Sequence, residues 1–321
     1  INKMSADDSD AHVLSDGFGD NAKQQLRELI RQNYNHPSVI VWGLSNELHQ
    51  MTDEIFGLYS ELYEIACKED DTRLKTFADN QFYGRFLELP ADVVGYNRYF
   101  GWYKEAGSAE NFGEWLDLYH NEKEKRPVCL SEYGGGGAIS QHKDNVDWES
   151  DIDPVGVRHY ENYQSQLHEI LWKQFSVRKY LWAEFIWCMF DFASYGRTEG
   201  DTKSLNDKGL CTRERIPKDV YFFYRSVWSS EKTVYITERR HEFRACDVPF
   251  VKVYSNADAV ELCINDISYG RMSRCELPDD ENTVFVWKNI KIKPDTKNKI
   301  CAKAYFSDGA SRTDYAFWTG K

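Results

Sequence analysis

Apolar residues recur along the first two thirds of the chain in two alternating registers. Between Asn21 and Asn33, Ala22, Leu26, Leu29 and Ile30 fall on one face at helical spacing, and Pro37 closes the stretch. The run Val39–Leu44 (VIVWGL) is almost uninterruptedly apolar, the pattern of a strand covered on both faces. Over Asp53–Lys68 the helical period returns with Ile55, Leu58, Tyr59, Leu62 and Ile65. Further short runs at Lys75–Ala78, Val93–Tyr96, Val128–Ser131 and Leu181–Met189 are spaced by helical stretches near Asn111–Glu124 and Val157–Gln174. Strands alternating with helices in this way predict βα units on a parallel sheet, wound into an open sheet or a barrel.

Beyond about Tyr221 the period shortens. Thr233–Thr237, Val251–Tyr254, Ala259–Ile264, Thr283–Trp287, Lys299–Tyr305 and Tyr315–Trp318 are brief, β-rich and partly alternating, with polar turns at Ser255–Asp258 and Pro278–Asn282. They predict a β-sandwich. The expected division is an α/β domain over residues 1–221 and an all-β sandwich over 222–321, packed directly because no low-complexity linker separates them.

Composition narrows the function. A hydrophobic fraction of 41% with 15% aromatics is that of a globular protein, and ten tryptophans suit a sugar site, where flat rings cover the C–H face of a pyranose. The net charge of −12 argues against nucleic acid and anionic membrane as partners, since both need a cationic surface. No stretch of 18 apolar residues is present, and Ile1–Asp20 lacks the charged and apolar regions of a signal peptide. The eight cysteines form no CxxC pair and read as buried free thiols, which favours a reducing compartment while leaving cytoplasm and periplasm both open.

Two glutamates carry the candidate chemistry. Glu47 follows the run Val39–Leu44 through Ser45 and Asn46, and Glu132 follows Val128–Ser131, so both are expected just past the carboxyl ends of strands, where parallel sheets build active sites. Glycoside cleavage needs only a pair of carboxylates: one protonates the leaving oxygen while the other attacks the anomeric carbon, and a separation of ~5–5.5 Å gives net retention. Gly134–Gly137 lacks the Lys-Ser/Thr and helix start of a phosphate cradle, and His36, Glu47 and His49 match no metal signature, so neither a cofactor nor a metal is expected. His142 reads as a loop or subsite residue.

The segment RQNYNHPSVIVWGLSNE (Arg31–Glu47) resembles the acid/base segment of glycoside hydrolase family 2, and RPVCLSEYGGG (Arg126–Gly136) resembles its nucleophile segment. GYNRYFGWY (Gly95–Tyr103), FIWCMFDFASYGRTEGD (Phe185–Asp201) and LNDKGLCTRERIPKDVYFFY (Leu205–Tyr224) are similar to later strands of the family's β-galactosidases. The resemblance implies the C-terminal portion of a (β/α)8 TIM barrel followed by an immunoglobulin-like sandwich. It also implies a retaining exo-β-glycosidase with Glu47 as general acid/base and Glu132 as nucleophile. Asn46 would bind the sugar 2-hydroxyl, Tyr99 would donate to the nucleophile, and Trp187 would form the sugar platform, with a cis peptide after it. Asn97, Trp102, Asn206 and Lys208 are further implied substrate contacts, with Arg197 and Asp201 at the rim.

Only 38 residues precede Val39, too few for three βα units, so the expected partner of this chain is an N-terminal barrel segment, without which it is expected to be insoluble or inactive. The wording around MFDFASYGRTEGD favours a β-linked galactoside or related oligosaccharide. Asn206-Asp207-Lys208 has the Asn-x-Lys form that suits a glucuronide carboxylate, which makes β-glucuronidase the alternative. A non-catalytic carbohydrate-binding module is the alternative of a different class. Assembly into a homo-oligomer is left open.

Overall fold

A computed structural model describes residues 17–48, 51–81, 84–278 and 282–321; His49, the centre of the Pro278–Asn282 turn and the start of Ile1–Asp20 lie outside these. The described chain divides into two units. One comprises Ile1–Tyr99, Gly113–Tyr133 and Arg178–Ile186; the other comprises Phe100–Phe112, Gly134–Val177 and Trp187–Lys321. The change of period near Tyr221 falls inside the second unit.

The first unit is built on five parallel strands in sequence order: β1 (Val41–Asn46), β2 (Leu74–Asp79), β3 (Val94–Asn97), β4 (Val128–Tyr133) and β5 (Leu181–Ile186). Helix α1 (Phe18–Asn33) precedes β1, and α2 (Asp53–Glu69) joins β1 to β2. Thr52 caps α2 by accepting the Ile55 N–H at 3.2 Å, with Asp53 and Glu54 in the positive first turn and Lys68 in the last. All five apolar residues predicted for the α2 face are buried, and Tyr59 meets Phe77 of β2 edge-on at 6.2 Å. On α1 the predicted face is narrower: Leu26 and Ile30 are buried, whereas Leu29 is 47% exposed.

At the amino ends of β1 and β2 one carboxylate gathers the chain. Asp70 accepts from Trp42 Nε1 at 2.9 Å, Thr72 N at 2.9 Å, Thr72 Oγ1 at 2.6 Å and Arg73 Nη1 at 2.7 Å. Burial alone would raise its pKa, but the donors of Thr72, Arg73 and Trp42 outweigh burial and hold the carboxyl far below its ordinary value.

The second unit contains helices Glu161–Ser176 and Asp219–Trp228 and a two-layer β-sandwich. One sheet orders Val284–Lys291, Asp247–Ser255 and Val234–Ile236; the other orders Ile267–Ser273, Ala259–Ile264, Lys297–Tyr305, Ser311–Gly320 and Phe243–Arg244. Val251, Leu262, Phe285, Ile300 and Trp318 lie in its closed core. The buried Arg244 guanidinium stacks on Trp318 at 4.5 Å and pairs with Glu238 at 3.0 Å.

Several expectations change. The helical stretch near Asn111–Glu124 is an α-helix only over Phe112–Leu118 and widens to a π-turn over Tyr119–Lys123. Strand Ile267–Ser273 went unpredicted because its first five residues are exposed, so no alternation marks it; it is held by backbone pairing to Ala259–Ile264. Of the cysteines only Cys129 and Cys211 are buried, Cys275 is exposed in the turn Arg274–Glu276, and Cys67, Cys188, Cys246, Cys263 and Cys301 are half-buried; all eight are free thiols. No described helix is long and apolar enough to cross a membrane.

Replacing Asp70 by Asn leaves donors on Trp42, Thr72 and Arg73 badly matched and is expected to cost roughly 1–3 kcal/mol in urea unfolding at neutral pH. Because the folded pKa is depressed, this stabilisation is present above the unfolded value of about 4 and is lost as pH falls, so variant and wild type should converge in acid.

Candidate active site

Backbone irregularities aim the side chains at the carboxyl end of the sheet. The β1–β2 register shifts between Gly43 and Asn46, and the β3–β4 register shifts between Tyr96 and Asn97, so that Asn46 pairs with Ala78 and Asn97 with Glu132. A bulge of this kind turns a strand's last side chains off their ordinary alternation. Gly95 is required just before the second shift, since a Cβ there would lie 2.7 Å from Ser131 Oγ and 2.9 Å from Phe77 O. Glu47 follows β1 directly with φ of 47°, and its N–H donates to Ala78 O at 2.9 Å. Glu132 was expected past the end of its strand; it is the penultimate residue of β4, because pairing with β3 reaches Glu132 and pairing with β5 reaches Tyr133.

Asn97 ties these groups together. It is 2% exposed, and its amide donates to Asn46 Oδ1 at 3.1 Å and to Glu47 Oε1 at 3.1 Å while its Oδ1 accepts from Ser131 Oγ at 2.7 Å. These partners fix which amide atom is nitrogen. Tyr99 donates its hydroxyl to Glu132 Oε2 at 2.6 Å, and the Arg98 N–H donates to Glu132 O at 2.9 Å. Asn46, Glu47, Asn97, Tyr99 and Glu132 thus form one connected set in the first unit. Asp79, which sequence reasoning passed over, is fully buried at the end of β2 next to this set.

The second unit holds Trp102, Trp187, Asn206 and Lys208. Lys208 is 4% exposed; its ammonium lies 2.9 Å from the Tyr103 hydroxyl and 4.5 Å from that ring's centroid. Asn206 Oδ1 accepts the Lys208 N–H at 3.1 Å, which turns the segment tightly. Behind it, the buried Lys218 donates to Asp191 Oδ1 and Asp207 O at 2.8 Å and to Gly137 O at 2.6 Å. Burial pushes Asp191 up to about 6 despite Lys218, whereas His159, 2.7 Å from Asp207, outweighs burial and holds that carboxyl below its usual range.

Trp102, expected among the sugar contacts, is 1% exposed, stacked edge-on against His159 at 4.7 Å. The Gly134–Gly137 run packs around it: a Cβ on Gly135 would meet Trp102 at 2.7 Å, and one on Gly136 would meet Asp207 Oδ1 at 2.4 Å. Close packing is the physical reason for these glycines. Trp187 precedes a cis peptide to Cys188 and lines a surface cavity of about 520 Å³ with Phe192 and Arg213. His142 contacts the buried Glu161 at 2.9 Å, and Arg197 pairs with Glu199. Asp144, Glu238 and His241 bring ligand atoms within 4.8 Å of one another, but Arg244 already supplies a cation to both acids. Tyr103, His159 and Lys218 are the residues that sequence reasoning missed in this unit; their partners lie tens of residues away, so no local signal marks them.

Comparison with known proteins identifies the family. Residues 5–233 match the family described as "Glycosyl hydrolases family 2, TIM barrel domain", and residues 248–312 match a domain of unknown function, DUF4982. A β-glucuronidase of Bacteroides fragilis is 37% identical over 277 residues, 86% of this chain and 38% of that protein. The FMN-binding β-glucuronidase of Faecalibacterium prausnitzii L2-6 superposes with a TM-score of 0.83 at 32% identity, over 95% of this chain and 44% of that one. A B. fragilis protein provisionally named a β-galactosidase gives 0.85 at 30%, with the same coverage. The chain therefore spans about two fifths of the length of these relatives. It belongs to glycoside hydrolase family 2, with TIM-barrel strands of that family followed by a β-sandwich.

Proposed function

We propose that this chain carries the catalytic carboxylates of a retaining β-glycosidase acting on β-glucuronides. One observation carries the hydrolytic reading: Asn97 hydrogen-bonds Glu47 while its backbone pairs with Glu132, so the acid that follows β1 and the acid on β4 are held about one asparagine. In this reading Glu47 protonates the leaving oxygen and later activates water, and Glu132 attacks the anomeric carbon to form the glycosyl-enzyme. Tyr99 donates to Glu132 and steadies the carboxylate as it departs in the second step. Asn46, oriented by Asn97, faces the sugar 2-hydroxyl.

Sequence wording favoured galactoside. The Lys208–Tyr103 pair and the β-glucuronidases among the relatives support the alternative instead. A lysine ammonium beside a phenol offers two donors to a carboxylate, and a galactoside, with a hydroxymethyl group there, would leave that charge poorly used.

In the full-length gene product, a 2-fluoro glucuronide inactivator is expected to label Glu132, found by peptide mass spectrometry; a label elsewhere overturns the roles. Tyr99→Phe should lower kcat by roughly 10–100-fold, the cost of a hydrogen bond to a charged group, in steady-state assays on an aryl glucuronide. Lys208→Met should lower kcat/KM for the aryl glucuronide by roughly 100-fold while leaving the low aryl galactoside rate unchanged. Equal loss on both sugars would remove the carboxylate assignment.

A further inference from the structure

Asp79 has an arrangement that stability does not explain. Its side chain is fully buried with Phe77 and Lys75 on one face of β2. Oδ1 accepts the Gln81 N–H at 2.7 Å, the N–H groups of Asn80 and Leu48 also draw on the carboxylate, and Oδ2 has no hydrogen-bond partner among the described residues. The charged and titratable groups facing it are Glu47 from the end of β1 and Tyr59 from α2; Arg126, Tyr63 and Asp92 act in turn on Tyr59. Burial pushes the carboxyl up to about 7, the charge of Glu47 adding to the rise against the backbone donors. A folded pKa above the unfolded value of about 4 means that this acid lowers stability as pH rises from about 4 to 7, fully so above 7. Asparagine would accept the same N–H groups without that cost.

The acid stands where the backbone of Glu47 needs holding. Glu47 has φ of 47°, a left-handed conformation costly for a side chain of this size. Its own N–H is fixed by Ala78, and Asp79, the following residue of β2, places its carboxyl near the next N–H, on Leu48. Two consecutive residues of one strand therefore adjoin the turn that presents Glu47, Ala78 through a hydrogen bond and Asp79 through the nearness of its buried carboxyl. We infer that Asp79 is a positioning residue for Glu47, its buried carboxyl backing the left-handed turn beside Ala78 and standing next to the Glu47 side chain. This rests on Glu47 being the acid/base.

The test uses full-length protein and aryl glucuronides with a good leaving group (dinitrophenol) and a poor one (an unactivated phenol), because loss of proton donation penalises only the poor one. Asp79→Ala is expected to lose roughly 10–100-fold in kcat/KM on the poor substrate and little on the good one. Asp79→Asn, which keeps the acceptor, should restore the poor substrate near pH 6, move the alkaline limb of its pH profile to lower pH, and raise the melting temperature above pH 7. Equal losses on both substrates, or an Asp79→Asn profile superimposable on wild type, overturn the inference; the second outcome decides the matter even if Asp79→Ala does not fold. Glu47→Gln is the reference. If it shows no split between the substrates, the acid/base reading itself falls; if it splits and Asp79→Ala does not, only the role of Asp79 falls.

Discussion

Everything at the carboxyl end of the parallel sheet depends on one primary amide. Asn97 spends both N–H bonds and its oxygen on Asn46, Glu47 and Ser131, and reaches them because β3 shifts register at that residue. An amide with three fixed partners in a buried place cannot rotate without leaving polar atoms unmatched, at a cost of order 1–3 kcal/mol each. The carboxylate of Glu47 therefore inherits the rigidity of the sheet, although it stands on a turn outside it.

The same logic runs through both units: buried ions hold loops that no regular ladder could hold. Asp70 gathers the loop before β2, Lys218 gathers the carbonyls of Gly137 and Asp207, and Glu161 receives His142 and Arg240. Such groups are costly to bury and weak as net sources of stability, but breaking one partner is severe, so they specify geometry more than they stabilise. Asp79 departs from this scheme. The other acids have a cation or a full set of donors, whereas Asp79 faces another carboxylate.

The segment bearing Lys208 depends on packing as much as on charge. Glycines at 135 and 136 let the chain lie against Trp102 and Asp207, closer than any Cβ would permit. Asp207 in turn is oriented by His159, so that the Asn206–Lys208 turn is fixed from behind while the ammonium meets Tyr103 in front.

Much of this was legible in the sequence. Most of the order of helices and strands followed from period, because the buried runs of β3 and β4 and the one covered face of α2 leave a direct mark on residue order, although Val39–Leu44, expected to be covered on both faces, leaves Ile40 and Gly43 exposed. The resemblance to glycoside hydrolase family 2 rested on residues that the family match also spans. Glu47 and Glu132 could be picked out because each follows an apolar run. What the sequence could not carry was convergence. Register shifts in β1 and β3, the amide of Asn97 between two strands, Asp79 beneath the Glu47 turn and Lys208 against a tyrosine 105 positions away all arise from strand pairing and loop packing. Periodicity reports which face of an element is covered. It says nothing of which distant side chain covers it, and the identity of that neighbour decides whether a carboxylate is a cap, a strut or an acid.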